Sequence, residues 1–328
     1  MKLIACVFGG LLLLAAVILA AKASPLAVAA ALVRGAFGSK DSVANTLIQT
    51  TPLLLTGLGV GLAFKGKLFN IGAEGQFLLG AVFAIWAGTQ RQLPTPLLLP
   101  LALGAGAVGG ALWAGLAAAL KLWRGVQEVL STLLLNFVAI QLVAWMVRGP
   151  LQEAVKQYPQ SDKLAISSRL AFLWPGTQLH LGFLVALFLA VVVWLYLAKT
   201  AAGFALRTVG AGAEAAEAAG ISVAKTTWGT FLLSGALSGL AGAIQICGVT
   251  YFLADPYSKG YGYTAIAVAL LANLSPLWTI LTALFFGALT AGATEVQSAG
   301  VSSVVIQVLQ AVTLLTVLTY GWLRERGK

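Results

Sequence analysis

Leu181-Gly182-Phe183-Leu184-Val185-Ala186-Leu187-Phe188-Leu189-Ala190-Val191-Val192-Val193-Trp194-Leu195-Tyr196-Leu197-Ala198 contains no charged side chain and is closed by Lys199. As a helix rising 1.5 Å per residue it extends about 27 Å, close to the roughly 30 Å hydrocarbon core of a bilayer. Apolar runs of similar length recur along the chain, separated by short polar gaps. That recurrence sets the fold class as an all-α polytopic membrane protein.

Composition agrees. Of 328 residues, 59% are hydrophobic and only 9% charged, and the mean hydropathy is +0.93. A soluble domain carries about 25% charged residues. A soluble enzyme, a nucleic-acid-binding domain and a disordered scaffold are excluded. The net charge of +10 comes from basic residues scattered in short loops, which fits membrane orientation better than nucleic acid. Cys6 and Cys247 lie in apolar runs and imply no disulfide framework, and one histidine, His180, with two distant cysteines makes no zinc site.

The apolar runs predict about ten transmembrane helices, near 3–21, 43–64, 68–89, 96–120, 129–147, 181–198, 228–250, 263–274, 277–294 and 303–322. The stretch at 263–274 is too short to cross a bilayer and reads as broken or re-entrant. The first run imitates a signal peptide, with Ala21-Lys22-Ala23-Ser24 as a small-residue cleavage site, but its length from Leu3 suits a span. An even count places both termini on one side, with Lys65, Lys67, Lys121, Arg124, Lys199, Arg207 and Lys225; the basic bias makes that side cytoplasmic. The whole of 1–328 then forms a single transmembrane domain with a long external loop at 148–180 and a cytoplasmic loop at 199–227. Spans two to five and seven to ten have the layout of two inverted repeats.

Polar residues inside apolar runs mark candidate function, because a charge at the bilayer centre costs about 2.5–3.5 kcal/mol on insertion scales. Asn70, Glu74 and Gln76 lie in one such run; Asn70 and Glu74 share a helix face. Glu128, Thr132 and Asn136 follow at a four-residue spacing. Thr230, Ser234, Ser238 and Gln245 form a second stripe, and Ser303, Gln307 and Gln310 a third. Each stripe alone fits interhelical hydrogen bonding; the three together fit a polar route. The loop at 211–220, Ala-Gly-Ala-Glu-Ala-Ala-Glu-Ala-Ala-Gly, predicts a short helix that Gly220 ends. No P-loop and no nucleophile–base pair occurs, so the chain has no nucleotide site of its own. His180 sits at a loop end without an evident partner and reads as interfacial.

These residues carry a resemblance. Phe69-Asn70-Ile71-Gly72-Ala73-Glu74-Gly75-Gln76, Glu128-Val129-Leu130-Ser131-Thr132-Leu133-Leu134-Leu135-Asn136-Phe137, Arg148-Gly149-Pro150, Leu206-Arg207-Thr208-Val209-Gly210 and Ser234-Gly235-Ala236-Leu237-Ser238-Gly239-Leu240-Ala241-Gly242 resemble bacterial ABC importer permeases for nucleosides and simple sugars, a family related to ribose-type and branched-chain amino acid permeases. The nucleoside branch fits best, from the Asn70–Gln76 run and the long 148–180 loop. The resemblance implies a plasma-membrane permease domain with no bound cofactor. Its ATP would be hydrolysed by a partner ATPase subunit. It also implies a second permease chain and an external substrate-binding lipoprotein. Asn70, Glu74, Gln76, Thr132, Asn136 and Gln245 would line the substrate route. Glu214, Ala215, Ala216, Ala219, Gly220 and Ile221 would form the ATPase-coupling element, matching the first part of the importer coupling motif. The alternatives are a monosaccharide or branched-chain amino acid permease, or a self-sufficient secondary transporter. The last would show paired ionisable groups in the membrane, and neither Glu74 nor Glu295 has an obvious cationic partner in the sequence.

Overall fold

The computed structural model describes residues 2–20, 23–90, 94–298, 301, 308, 310–312, 315, 316 and 319. Its helices are α1 (Lys2–Ala20), α2 (Pro25–Phe37), α3 (Lys40–Lys65), α4 (Ala73–Gly88), α5 (Thr95–Arg124), α6 (Glu128–Arg148), α7 (Gly182–Lys199), α8 (Ala201–Ala211), α9 (Ala213–Ala218), α10 (Val223–Gln245), α11 (Tyr261–Leu271) and α12 (Pro276–Ser298). A π turn, Ile246–Thr250, extends α10.

The expectation of about ten spans in two inverted repeats is overturned. Among the described residues, six helices are long and apolar enough to cross a bilayer: α3, α5, α6, α7, α10 with its π turn, and α12. A seventh is added if the bent pair Leu12–Ala20 and Pro25–Phe37 is one span. The expected span at 303–322, with Ser303 and Gln307, lies largely outside the described residues. The repeat layout depended on the higher count and goes with it. The reason is that apolarity reports burial as well as crossing. α4 is only 16 residues long, about 24 Å, and of its side chains only Phe83 and Trp86 are not buried. It is apolar all round because other helices enclose it. α11, at 11 residues, is shorter still.

The helices pack as two separate units. In one (1–50, 176–179 and 284–328), Ile18, Val28, Ala31 and Val296 form an apolar cluster. There α2 meets α12 where Gly35 faces Gly292, close enough that a Cβ on Gly35 would lie 2.9 Å from the Gly292 α-carbon. Thr46 donates its hydroxyl to the Ala36 carbonyl at 2.8 Å.

The other unit (51–175 and 180–283) is built on α4, α5 and α10, whose backbones touch through glycine. Gly80 of α4, Gly106 and Gly110 of α5, and Gly235 and Gly239 of α10 meet there, and a Cβ at Gly80 or Gly239 would strike the opposing backbone. This small-residue contact is the usual means of close helix approach where lipid removes the hydrophobic drive. α6 packs on α4, and the loop after α6 folds back over the far ends of α4 and α10. In that loop Ser168 donates to the Gly88 carbonyl at 2.9 Å, and Leu164 and Ser161 donate their N–H groups to the Tyr251 and Leu253 carbonyls at 2.8 Å each.

Candidate functional site

α3 ends at Lys65 and α4 begins at Ala73, so residues 66–72 form a connector without helical hydrogen bonds of their own. Buried backbone groups need partners, and the polar stripe of α6 supplies them. Thr132 Oγ1 accepts the Ile71 N–H at 3.2 Å and donates to the Glu128 carbonyl at 2.6 Å. Asn136 donates Nδ2 to the Ile71 carbonyl at 2.9 Å and accepts the Gly75 N–H on Oδ1 at 2.8 Å. Glu128 pairs with Lys121 at 2.7 Å and lies within reach of the Phe69 N–H. Thr132 and Asn136, four residues apart on α6, thus meet both backbone groups of Ile71, and Asn136 also reaches the first turn of α4.

The connector also holds itself. Asn70 and Gln76 exchange two amide hydrogen bonds, Asn70 Nδ2 to Gln76 Oε1 at 3.1 Å and Gln76 Nε2 to Asn70 Oδ1 at 2.9 Å. Asn70 Nδ2 also donates to Ser234 Oγ on α10 at 2.8 Å, and Asn70 Oδ1 accepts the Gly72 N–H at 3.0 Å. Asn70, Glu74, Thr132 and Asn136 are fully buried, and Gln76 nearly so.

Glu74 reaches away from this cluster. Its Oε1 accepts the Ser258 hydroxyl at 2.6 Å and the Gly260 N–H at 3.1 Å, and its Oε2 accepts the Gly262 N–H at 2.6 Å. These donors open α11, whose first N–H groups have no partner within the helix. The carboxylate caps α11 from the first turn of α4, so two short helices begin at one buried anion where both dipoles favour negative charge. Gly262 lies flat against the Ala73 and Glu74 backbone, leaving no room for a Cβ.

Five of the six expected route residues, Asn70, Glu74, Gln76, Thr132 and Asn136, come together here. Gln245 does not join them; it is buried at the end of α10, and its carbonyl accepts from Thr250 Oγ1 at 3.4 Å. The sequence reading missed Ser258, Gly260 and Gly262. The available signal was a Ser-Lys-Gly-Tyr-Gly run opening a helix too short to span: such a helix needs an acceptor for its free N–H groups, and Glu74 lacked a partner.

The expected coupling helix at 211–221 is shorter than the sequence implied, α9 covering Ala213–Ala218. α8 and α9 are separated by Gly212 in extended backbone, and Gly220 closes α9 at φ +81°, with the Ile221 N–H on the Ala216 carbonyl at 2.9 Å. Glu214, Ala215, Ala219 and Gly220 are exposed and Ile221 half-buried, but Ala216 faces inward and is fully buried. α8 rests on the start of the connector, where Gly210 meets the Lys65 carbonyl and Leu206 meets Gly66.

His180, just before α7, is buried. Its Nδ1 accepts the Gly182 N–H at 3.2 Å, its Nε2 has no partner, and its ring lies on Gly248 of the π turn. Burial pushes its pKa down to about 4.

Long apolar helices packed around buried amides, hydroxyls and the carboxyl groups of Glu74 and Glu128 make this a multi-pass membrane protein. Residues 42–318 match the family model described as the permease component of branched-chain amino acid transport systems. The chain belongs to that family and is the membrane permease component of an ABC-type importer. It is 38% identical to a glucose ABC transporter permease of Haloferax volcanii, over 86% of this chain and 77% of that protein. It is 37% identical to a guanosine ABC transporter permease of Bacillus subtilis, over 90% of this chain and 88% of that one. A nucleoside ABC transporter permease of Lactococcus lactis is 32% identical over 94% and 87%. No solved structure matches the chain significantly. Permeases of this family are not catalytic; ATP is hydrolysed in a separate ATPase subunit, and a substrate-binding component completes such an importer.

Proposed function

We propose that the chain moves nucleosides inward across the plasma membrane, paired with a second permease chain, an ATPase subunit and an external binding lipoprotein. The observation that carries this reading is the chemistry of the buried layer. Asn70, Gln76, Thr132, Asn136 and Ser234 are neutral donors and acceptors, which suits a solute that is uncharged but rich in hydrogen-bonding groups. Two of the relatives named above are permeases for guanosine or nucleosides, which supports the same choice. Because these side chains already satisfy one another, their role in this reading is to build and stiffen the wall of the route, with Glu74 fixing where α11 begins and Gln245 lining it further along.

Both termini and the 199–227 loop are cytoplasmic in this reading, and 148–180 is external. The exposed face of α9, with Glu214, Ala215, Ala219 and Gly220, docks on the ATPase, while Ala216 and Ile221 seat the helix on the permease. The glucose permease relative favours a monosaccharide as the second reading. The test is ATPase stimulation in the reconstituted complex with its binding protein. Guanosine should stimulate hydrolysis where glucose and leucine do not; stimulation by glucose alone replaces the first reading with the second.

A further inference from the structure

Lys259 is exposed, and its depth gives that exposure meaning. Its neighbour Gly260 bonds Glu74, and Gly75 bonds Asn136. Asn136 lies eight residues into the 21-residue α6, about 12 Å along a helix of about 31 Å. Lys259 therefore sits beside the buried Glu74 cluster in the middle part of the bundle, where an ammonium facing acyl chains would be costly. Among the described residues it makes no ion pair and no hydrogen bond. A charged side chain so placed faces water.

The residues beside it are polar as well. Ser258 is half-buried and donates to Glu74 Oε1. Tyr263, the third residue of α11, is exposed. Of the donors Ser258, Gly260 and Gly262 on Glu74, the last two give backbone N–H groups fixed by the start of α11. The Ser258 hydroxyl, by contrast, is released by a single side-chain rotation.

We propose that Ser258, Lys259 and Tyr263 form the wetted translocation surface, and that a hydroxyl of the passing solute takes the place of Ser258 on Glu74. The ligand class is a neutral solute with sugar hydroxyls, so the inference rests on the substrate reading above. A hydroxyl-for-hydroxyl exchange leaves the buried carboxylate satisfied throughout, which a solute lacking such donors does not allow.

The test uses the complete transporter in proteoliposomes, with Cys6→Ala and Cys247→Ala as background, and a charged, water-soluble thiol reagent. Lys259→Cys should react at least about tenfold faster than Leu112→Cys on the outer face of α5, because the thiolate forms only in water. Saturating guanosine should slow that reaction. Adding Ser258→Ala should lower the half-protecting guanosine concentration by about fivefold, since the competing hydroxyl is gone, and Ser258→Thr should leave it unchanged. A purely structural serine would lower thermal stability without improving protection. Labelling no faster than at Leu112, or guanosine transported without any protection, overturns the proposal and leaves the nucleoside reading standing. Protection by glucose but not guanosine overturns the nucleoside reading and leaves the surface standing.

Discussion

Glu74 Oε2 accepts the Gly262 N–H at 2.6 Å, and this bond ties the first turn of α4 to the first turn of α11 across 188 residues of sequence. With Ser258 and Gly260 on the other oxygen, the carboxyl group accepts from the N-cap Gly260, from Gly262 in the first turn and from the Ser258 hydroxyl just before them. Glu74→Gln turns an amide N–H toward these donors and leaves at least one unpartnered. The expected loss is about 1–3 kcal/mol, read as a lower Tm of the purified permease in detergent. An unchanged Tm would show that the cap contributes nothing.

Asn136 serves two backbone groups with its two amide atoms, the Ile71 carbonyl of the connector and the Gly75 N–H in the first turn of α4. Asn136→Leu removes both, whereas Asn136→Asp keeps the acceptor for the Gly75 N–H. Hydrogen exchange over residues 69–75 should speed up in both, more in the leucine variant, by about tenfold for each 1.4 kcal/mol of local stability lost. Equal protection in wild type and Asn136→Leu contradicts the connector's dependence on α6.

Gly239 and Gly104 are both helical glycines, but only Gly239 lies against another backbone. Gly239→Ala should destabilise by about 1–3 kcal/mol or abolish expression. Gly104→Ala, with open space around it, should be neutral or slightly stabilising. Expression level and melting of the two variants compare them directly.

Ala216 and Ala219 separate two roles of α9. Ala216→Trp places an indole where the side chain is fully buried and should lower the permease's own stability. Ala219→Trp adds bulk on the exposed side and should leave that stability unchanged while reducing co-purification of the ATPase. Wild-type assembly with Ala219→Trp would remove α9 from the docking surface.

His180 gives the fold a pH dependence of known sign. Its pKa is depressed to about 4 in the folded chain, against about 6.5 when unfolded, so the unfolded state binds more protons between those values. The stabilisation is present above pH about 6.5 and is lost as pH falls toward 4, at no more than about 1.4 kcal/mol per unit. Melting temperature against pH should show that fall, and His180→Gln should flatten it.

Much of the site was legible in the sequence. Glu128, Thr132 and Asn136 at a four-residue spacing, and Asn70, Glu74 and Gln76 in an apolar setting, mark polar groups that need partners. What the spacing does not encode is that Thr132 and Asn136 bind the backbone of Ile71 and Gly75, which lie between the residues of the second set, because the contact joins a helix face to a stretch with no regular period. The partners of Glu74 were missed for a related reason: Ser258, Gly260 and Gly262 act largely through main-chain N–H groups, which every sequence has. The span count failed at α4, where apolar composition comes from enclosure by neighbouring helices, whereas the shortness of α11 was legible in the sequence.

The central claim is that this permease carries nucleosides at the expense of ATP hydrolysed by a partner. ATP-dependent uptake of radiolabelled guanosine into proteoliposomes holding the complete importer measures it directly. The account predicts uptake that requires ATP, falls to background in Asn136→Leu, and is inhibited by excess unlabelled nucleosides but not by glucose or leucine. Uptake of glucose or leucine in place of guanosine, or guanosine uptake that needs no ATP, would contradict it.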